Sequence, residues 1–352
     1  MRYSIFLLIV LCLTPVWGEK VGDLPELSKP ASITASESYL YICDSDVIHV
    51  YSLDPLQYVR ALGRGGEGPG EFNSAPHLTV YPDGLFVNTM GKIMDFSGDG
   101  EFRTQTKIPF VYWYIYYPIL RSGENYVGLP LNRVPDLAKV IHTVNLYDPQ
   151  FESIAELYQG NSPALLPPPP PGEKVVKMDY QVIPDCLEVA VLGDRIYVAD
   201  SRKGFFIAVF DGRGTHLEDW DIDHRRVKVP EEFKRRFWEE TRAADNWEQR
   251  KQRFNYIIRD NYPAFFSMKI QQGRMYLTTH AKRDRLHEVV VLDLQGKLLK
   301  RSYSCPLDPE IRLLRGIAPF SNEYVVRNDA FTYLVLNEDS MLYELHTHPI
   351  DE

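Results

Sequence analysis

Four cysteines in 352 residues, Cys12, Cys43, Cys186 and Cys305, are too few and too scattered for a disulfide framework. There is no C-x-x-C pair, no His-Glu-x-x-His, and no other thiol or imidazole spacing that makes a zinc framework. Basic residues are also short: 39 Lys and Arg stand against 48 Asp and Glu, a net charge of −9. Phosphate backbones need a basic surface, so general nucleic-acid binding is excluded. Long apolar runs are missing as well. Ile5 to Leu13 is far shorter than the ~20 residues of a membrane span, and no later segment is a candidate. With Met1-Arg2 before it and Val16-Trp17-Gly18 after it, that run reads as a secretory signal peptide over residues 1–18. Leu11 precedes Cys12 where a lipoprotein leader carries a small residue, so lipidation is not expected. A soluble, secreted or periplasmic protein is the expectation.

What the sequence has in abundance is a rhythm. Short apolar strands alternate with glycine-bearing turns such as "PDG", "SGDG", "FDGRG" and "LQGK". The clearest unit is "CLEVAVLGDRIYVADSRKGFFIAVFDGRGTHLEDW", residues 186–220, where Val189, Val191, Ile196 and Val198 mark the period of two. Six such units occur, at about 31–62, 77–107, 117–158, 180–221, 265–303 and 313–346. Four short antiparallel strands cannot cover both of their own faces, but six blades around an axis cover one another. The fold expected for residues 19–352 is an all-β, six-bladed β-propeller of four-stranded antiparallel blades. An α-helical insertion over 229–260 separates blades four and five.

Residues 62–72, "LGRGGEGPGEF", contain G-x-G-x-x-G, the spacing of a dinucleotide loop. Such a loop must open directly into a helix. Here Pro69 and Gly70 follow at once, and neither starts a stable helix. The stretch "GRGGEGPGEFNSAP" followed by "LTVYPDGLFVNT" and "IMDFSGDGEF" instead resembles the connector and blade of NHL-type six-bladed propellers. The resemblance is strong over 57–105 and 186–220, and elsewhere holds only as rhythm. It implies that the glycines turn the chain from blade rim to axis, and that Phe72 anchors it between blades.

In a propeller the turn between second and third strands shares a face with the connector to the next blade. The irregular segments fall at connectors: 108–118, 161–174 and 222–264. All three are therefore expected on one face, where loops on a rigid scaffold gather binding residues. The first carries Tyr112-Trp113-Tyr114, a run able to pack between blades or to form an aromatic platform. The second carries Pro167 to Pro171, a stiff spacer. The third is helical, opening at Pro230 with Glu231 and Glu232 on the positive end of the dipole. Phe233, Phe237 and Trp238 form one apolar stripe, and Trp247, Phe254, Ile257 and Ile258 a second, with "AADN" between them. Its Arg and Lys residues read as a solvated outer face able to attract an anion.

Alignment of the units puts Asp44, Asn88, Asn132, Asp200, His280 and Asn328 at one mouth-facing turn each, with Arg133, Arg202 and Arg283 nearby. Asp and Asn suit turns because they bond the backbone two residues on. Taken together they offer oxygen ligands for a hard cation such as Ca²⁺, in which case Asp44, Asp200 and His280 would hold it. The resemblance cuts both ways, since gluconolactonase-like and amidating-lyase-like propellers hold a channel metal. No Ser-His-Asp set is apparent, and His346-x-His348 reads as a frayed terminus. The expected function is a non-catalytic, monomeric scaffold that needs no cofactor. It would bind a protein, peptide or glycan at the channel mouth through the ring and through Arg133, Arg202, Arg283, Trp113 and Trp238. The alternative is a metal-dependent hydrolase or lyase in the channel.

Overall fold

A computed structural model describes residues 18–108, 119–129, 131–133, 140–161, 177–310 and 323–350. Side-chain alternation decides how each strand is used. In Arg195–Asp200, Ile196 and Val198 turn toward one neighbour while Tyr197 and Ala199 turn toward the other. Both sets are buried, so the strand needs apolar partners on both faces. Leu187–Leu192, Arg195–Asp200, Phe205–Asp211 and His216–Ile222 pair in chain order as an antiparallel meander.

The same meander recurs in every blade. Pro30–Ala35, Tyr39–Asp44, Val47–Leu53 and Leu56–Leu62 make blade one. His77–Tyr81, Gly84–Thr89, Lys92–Phe96 and Phe102–Lys107 make blade two. In blade three, Leu120–Ser122, Val140–Tyr147 and Ser153–Asn161 flank a second strand split into Asn125–Gly128 and Leu131–Arg133. Blade five is Ser267–Gln271, Arg274–Arg283, Leu286–Asp293 and Leu298–Cys305. The first strand of each blade is innermost. Together these strands surround a channel of about 360 Å³, lined among others by Ser32, His77, Leu120, Glu188, Lys269 and Val325.

One apolar core fills each gap between blades. Tyr41 and Val50 meet Val87 and Met94 between blades one and two, and Tyr197 and Ile207 meet Met275 and Leu292 between four and five. The other four gaps are filled in the same way. The protein is a six-bladed β-propeller.

Blade six is stitched from both ends of the chain. Tyr324–Arg327, Ala330–Asn337 and Leu342–Pro349 supply three strands, and Glu19–Leu24 supplies the outermost. This closure shifts the phase of the last unit by one strand. Asn328 and Asp329 therefore form the turn between first and second strands, at the face opposite the other five turns. Their neighbours agree, since Asn328 Oδ1 accepts from Gln272 Nε2 at 3.3 Å and Gln272 belongs to the equivalent turn of blade five. His346 is not frayed either. It lies buried in the third strand, with Nδ1 3.0 Å from the Gly18 carbonyl and Nε2 2.8 Å from Glu344.

Between blades four and five the chain forms α1 (Glu231–Ala243) and α2 (Trp247–Arg253), broken at residues 244–246. Pro230 caps α1 from just outside its first turn, and Phe233 and Phe237 bury its apolar stripe. The second expected stripe is not helical throughout. Phe254–Ile257, rich in aromatic and β-branched residues, leaves α2 as a strand and pairs in parallel with Met178–Gln181. Together with Val182, Ile183, Val229 and Tyr262 the insertion builds a small core of its own. Residues 1–17, most of the segment expected as a signal peptide over 1–18, lie outside the described residues.

Candidate functional site

The glycine loop is structural. Phe72 is buried in the core between blades one and two, edge-on to Phe96 at 6.3 Å. Gly63 has φ +70, and a Cβ there would stand 2.2 Å from the Phe72 ring, so only glycine admits the anchor. The Glu71 carboxylate accepts from Gly68 N at 2.8 Å and from Arg64 Nε at 2.7 Å, which holds it below the usual carboxylate range.

The aspartates and asparagine of the upper turns bond to protein. Asp44, 4% exposed, accepts from Ser28 N and from Lys29 N at 2.9 Å, pinning blade one to the connector that enters it. Asn88 Oδ1 accepts from Ile119 N at 3.0 Å, where the chain enters blade three. Asp200 caps the short turn Ser201–Lys203 through Arg202 N at 3.0 Å, and accepts from Tyr158 Oη at 2.8 Å. Ser201 then exchanges two hydrogen bonds with Cys186. Each of these polar side chains ties a second-strand end to a connector or to a neighbouring blade. Asn132 and Arg133 lie in the split strand of blade three, opposite Ile141 and Val140. Trp113 falls outside the described residues.

His280 is different. It stacks on Tyr262 at 4.2 Å, within 8° of parallel, and both of its ring nitrogens are buried without a hydrogen-bond partner. Burial holds it well below the ordinary 6.5, so the ring is neutral at pH 7. Its neighbour His287, lowered to about 4 by burial, donates from Nδ1 to the Thr279 carbonyl, 2.9 Å away. Asp44, Asp200 and His280 occupy three separate blades with three separate sets of neighbours. Among the described residues no group of three or more His, Cys, Asp or Glu converges as metal ligands. Cys43, Cys186 and Cys305 are free thiols, and burial raises Cys43 and Cys305 to about 12, away from thiolate reactivity.

The upper face does open where the insertion meets blade four. Asp185, Arg202, Lys203, His224, Arg226 and Arg259 line a cleft of about 440 Å³, over a floor that includes Tyr262, Pro263 and Ala264. Arg202 was expected on this face; Lys203, Arg226 and Arg259 were not singled out. For Arg226 and Arg259 the signal is the charge density of residues 222–264, where eleven Lys or Arg accompany eight Asp or Glu in a chain of net charge −9; Lys203 lies outside that segment. Trp238 is half-buried in an aromatic cluster with Trp247 and Tyr256, under the Arg242 guanidinium at 5.2 Å. Arg283 lies over Tyr303 at 4.3 Å.

No family model matches this chain, and no curated protein matches it. Solved structures resemble it in outline. A Bacteroides caccae protein of unknown function is 11% identical, with a TM-score of 0.40 over 77% of this chain and 80% of that one. The Pan2 WD40 domain of Neurospora crassa is 8% identical, with a TM-score of 0.38 over 97% and 98%. Kluyveromyces lactis Hsv2p is 10% identical, with a TM-score of 0.33 over 92% and 100%. Likeness at this level says nothing of family or function. The fold rests on the strand topology.

Proposed function

We propose that this chain is an exported, NHL-like propeller whose upper face is a binding platform for a protein, peptide or glycan. One observation carries the reading: no residue from 223 to 263 belongs to any of the six interblade cores. Apart from His224 on Phe205 and Tyr262 on His280, this segment packs around its own core on the connector side. A segment that the scaffold does not need for its interior, and that brings a cationic cleft and half-buried tryptophans, fits a ligand-facing role. Export is supported by the apolar run after Met1-Arg2, and cleavage after Gly18 would leave the closing strand Glu19–Leu24 whole.

The test uses the ends of the insertion, which lie side by side because Val229 N donates to the Asp260 carbonyl at 2.9 Å. Residues 231–258 are replaced by a short Gly-Ser linker, and both chains are applied to glycan and peptide arrays. The expected result is selective binding by the full chain that the shortened chain loses, with both still melting cooperatively. Binding that survives the replacement would refute the platform. A melt in EDTA and then in Ca²⁺ or Zn²⁺ adds a second arm, since a ligand of the folded state must raise Tm by mass action. A large metal-dependent rise would move the site to the channel.

A further inference from the structure

The cleft beside the insertion has an excess of cations that the protein does not neutralise. Two of its carboxylates are already paired, Asp185 with Arg259 at 2.6 Å and Asp260 with Lys234 at 3.5 Å. Arg202 reaches Asp200 at 3.3 Å, but that carboxylate also accepts from Tyr158 and from Arg202 N. Lys203 and Arg226 have no carboxylate partner among the described residues, and both are exposed. Lys203 Nζ is steered instead by aromatic faces, 4.3 Å from the Phe206 ring and 4.8 Å from that of Tyr158. Such faces orient a cation and leave its charge available.

The walls are fixed as well as charged. Tyr262 N donates to the Val227 carbonyl at 2.9 Å, so the segment carrying Arg226 and the segment forming the floor are bound together. His224 stacks on Phe205 at 5.2 Å, and a Cβ at Gly204, whose φ is +107, would stand 2.7 Å from that imidazole. The turn bearing Arg202 and Lys203 is thus pressed against the segment bearing Arg226, with glycine required at the contact. Cations held in place around a concavity lose little entropy when a ligand arrives. In a protein of net charge −9 this is a local reversal of sign.

We propose that this cleft binds an oxyanion group, a phosphate, sulfate or carboxylate at the end of a larger ligand. Arg226 and Arg202 would supply planar forks and Lys203 a point charge. The inference rests on the upper-face reading above and names the chemistry that this face recognises.

Inorganic phosphate, sulfate and acetate are titrated into the full chain by calorimetry and thermal shift, with chloride holding ionic strength constant. Saturable binding of at least one oxyanion is expected, and which one binds identifies the group. Arg226→Ala should weaken it roughly tenfold, the loss of a charge-assisted contact. Arg226→Lys should recover only part of that, and Lys203→Ala should weaken it too. Arg213→Ala, on an exposed turn of the opposite face, should change nothing. No saturable response to any of the three anions, or an equal loss in Arg213→Ala, would overturn the proposal. Array binding that depends on the insertion but ignores oxyanions and Arg226 would leave the platform standing and remove the anion site alone.

Discussion

Blades one and six have the same four-stranded form and opposite histories. Blade one is continuous in sequence from Pro30 to Leu62, so its strand order equals its chain order. Blade six takes three strands from residues 324–349 and its outermost from residues 19–24. A continuous blade can form its meander before the ring closes. A stitched blade cannot, because its last pairing joins residues more than 300 positions apart, as Lys20 to Glu344 at 2.8 Å. Such non-local contacts form only after a large loss of chain entropy. Blade six is where the ring is locked.

Removing the lock should have the largest effect. A chain beginning at residue 26 loses the outer strand and with it Leu24, which is fully buried in the core between blades six and one. It also exposes the edge of Leu342–Pro349, a hazard for aggregation. We expect the cooperative melt to vanish, and a synthetic peptide of residues 18–25 to restore it in part. The same peptide should do nothing for the full chain. A truncated chain that melts near the parent temperature would show that blade six closes without its fourth strand.

A smaller effect distinguishes the chemistry of the latch. The Glu344 carboxyl is held at about 2 by hydrogen bonds from Lys20, Asn337 and His346. Its folded value is depressed below the ordinary 4.5, so its stabilisation is complete above that value and is lost as pH falls toward about 2. Glu344→Gln should therefore lower Tm at pH 7, and the gap from the parent chain should narrow steadily below pH 4.5. A gap that stays constant with pH would mean that the carboxylate charge plays no part in closure.

The contrast between the two blades also explains what could be read from the sequence. Blades one, two and four were legible because each carries its own glycine turns and its own alternation, as in Val189, Val191, Ile196 and Val198. The position of Asn328 was not legible, because "YVVRNDAF" looks like a second strand and its turn unless the N-terminal strand is known to complete the blade. Closure is a long-range fact with no local signature. The helical insertion was marked by Pro230 and its acidic first turn, but Phe254–Ile257 became a strand through a partner at Met178–Gln181, distant in sequence. The sequence pattern puts Asp44, Asn88 and Asp200 at second-strand ends, while their hydrogen bonds depend on backbone geometry. The cleft was the least legible part. Lys203 and Arg226 are separated by the third and outer strands of blade four, and only the propeller's return to its upper face brings them together.

The smallest effects come from substituting the two residues that the sequence placed at equivalent positions. Asp44 in blade one satisfies two backbone donors of the entering connector, at Ser28 and Lys29. Asp44→Ala leaves both donors without a partner in a partly buried turn, a loss of about 2 kcal/mol. At this chain length such a loss lowers Tm by a few degrees, about 2–4 °C per kcal/mol. Asn328 in blade six makes one long contact, to exposed Gln272, and its φ of +50 suits glycine as well as asparagine. Asn328→Gly should therefore stay within about 0.5 kcal/mol of the parent. Neither substitution should alter oxyanion binding, because neither residue lines the cleft. If the two variants melt alike, the turns of blades one and six are energetically equivalent, and the phase shift imposed by closure has no energetic consequence at this position.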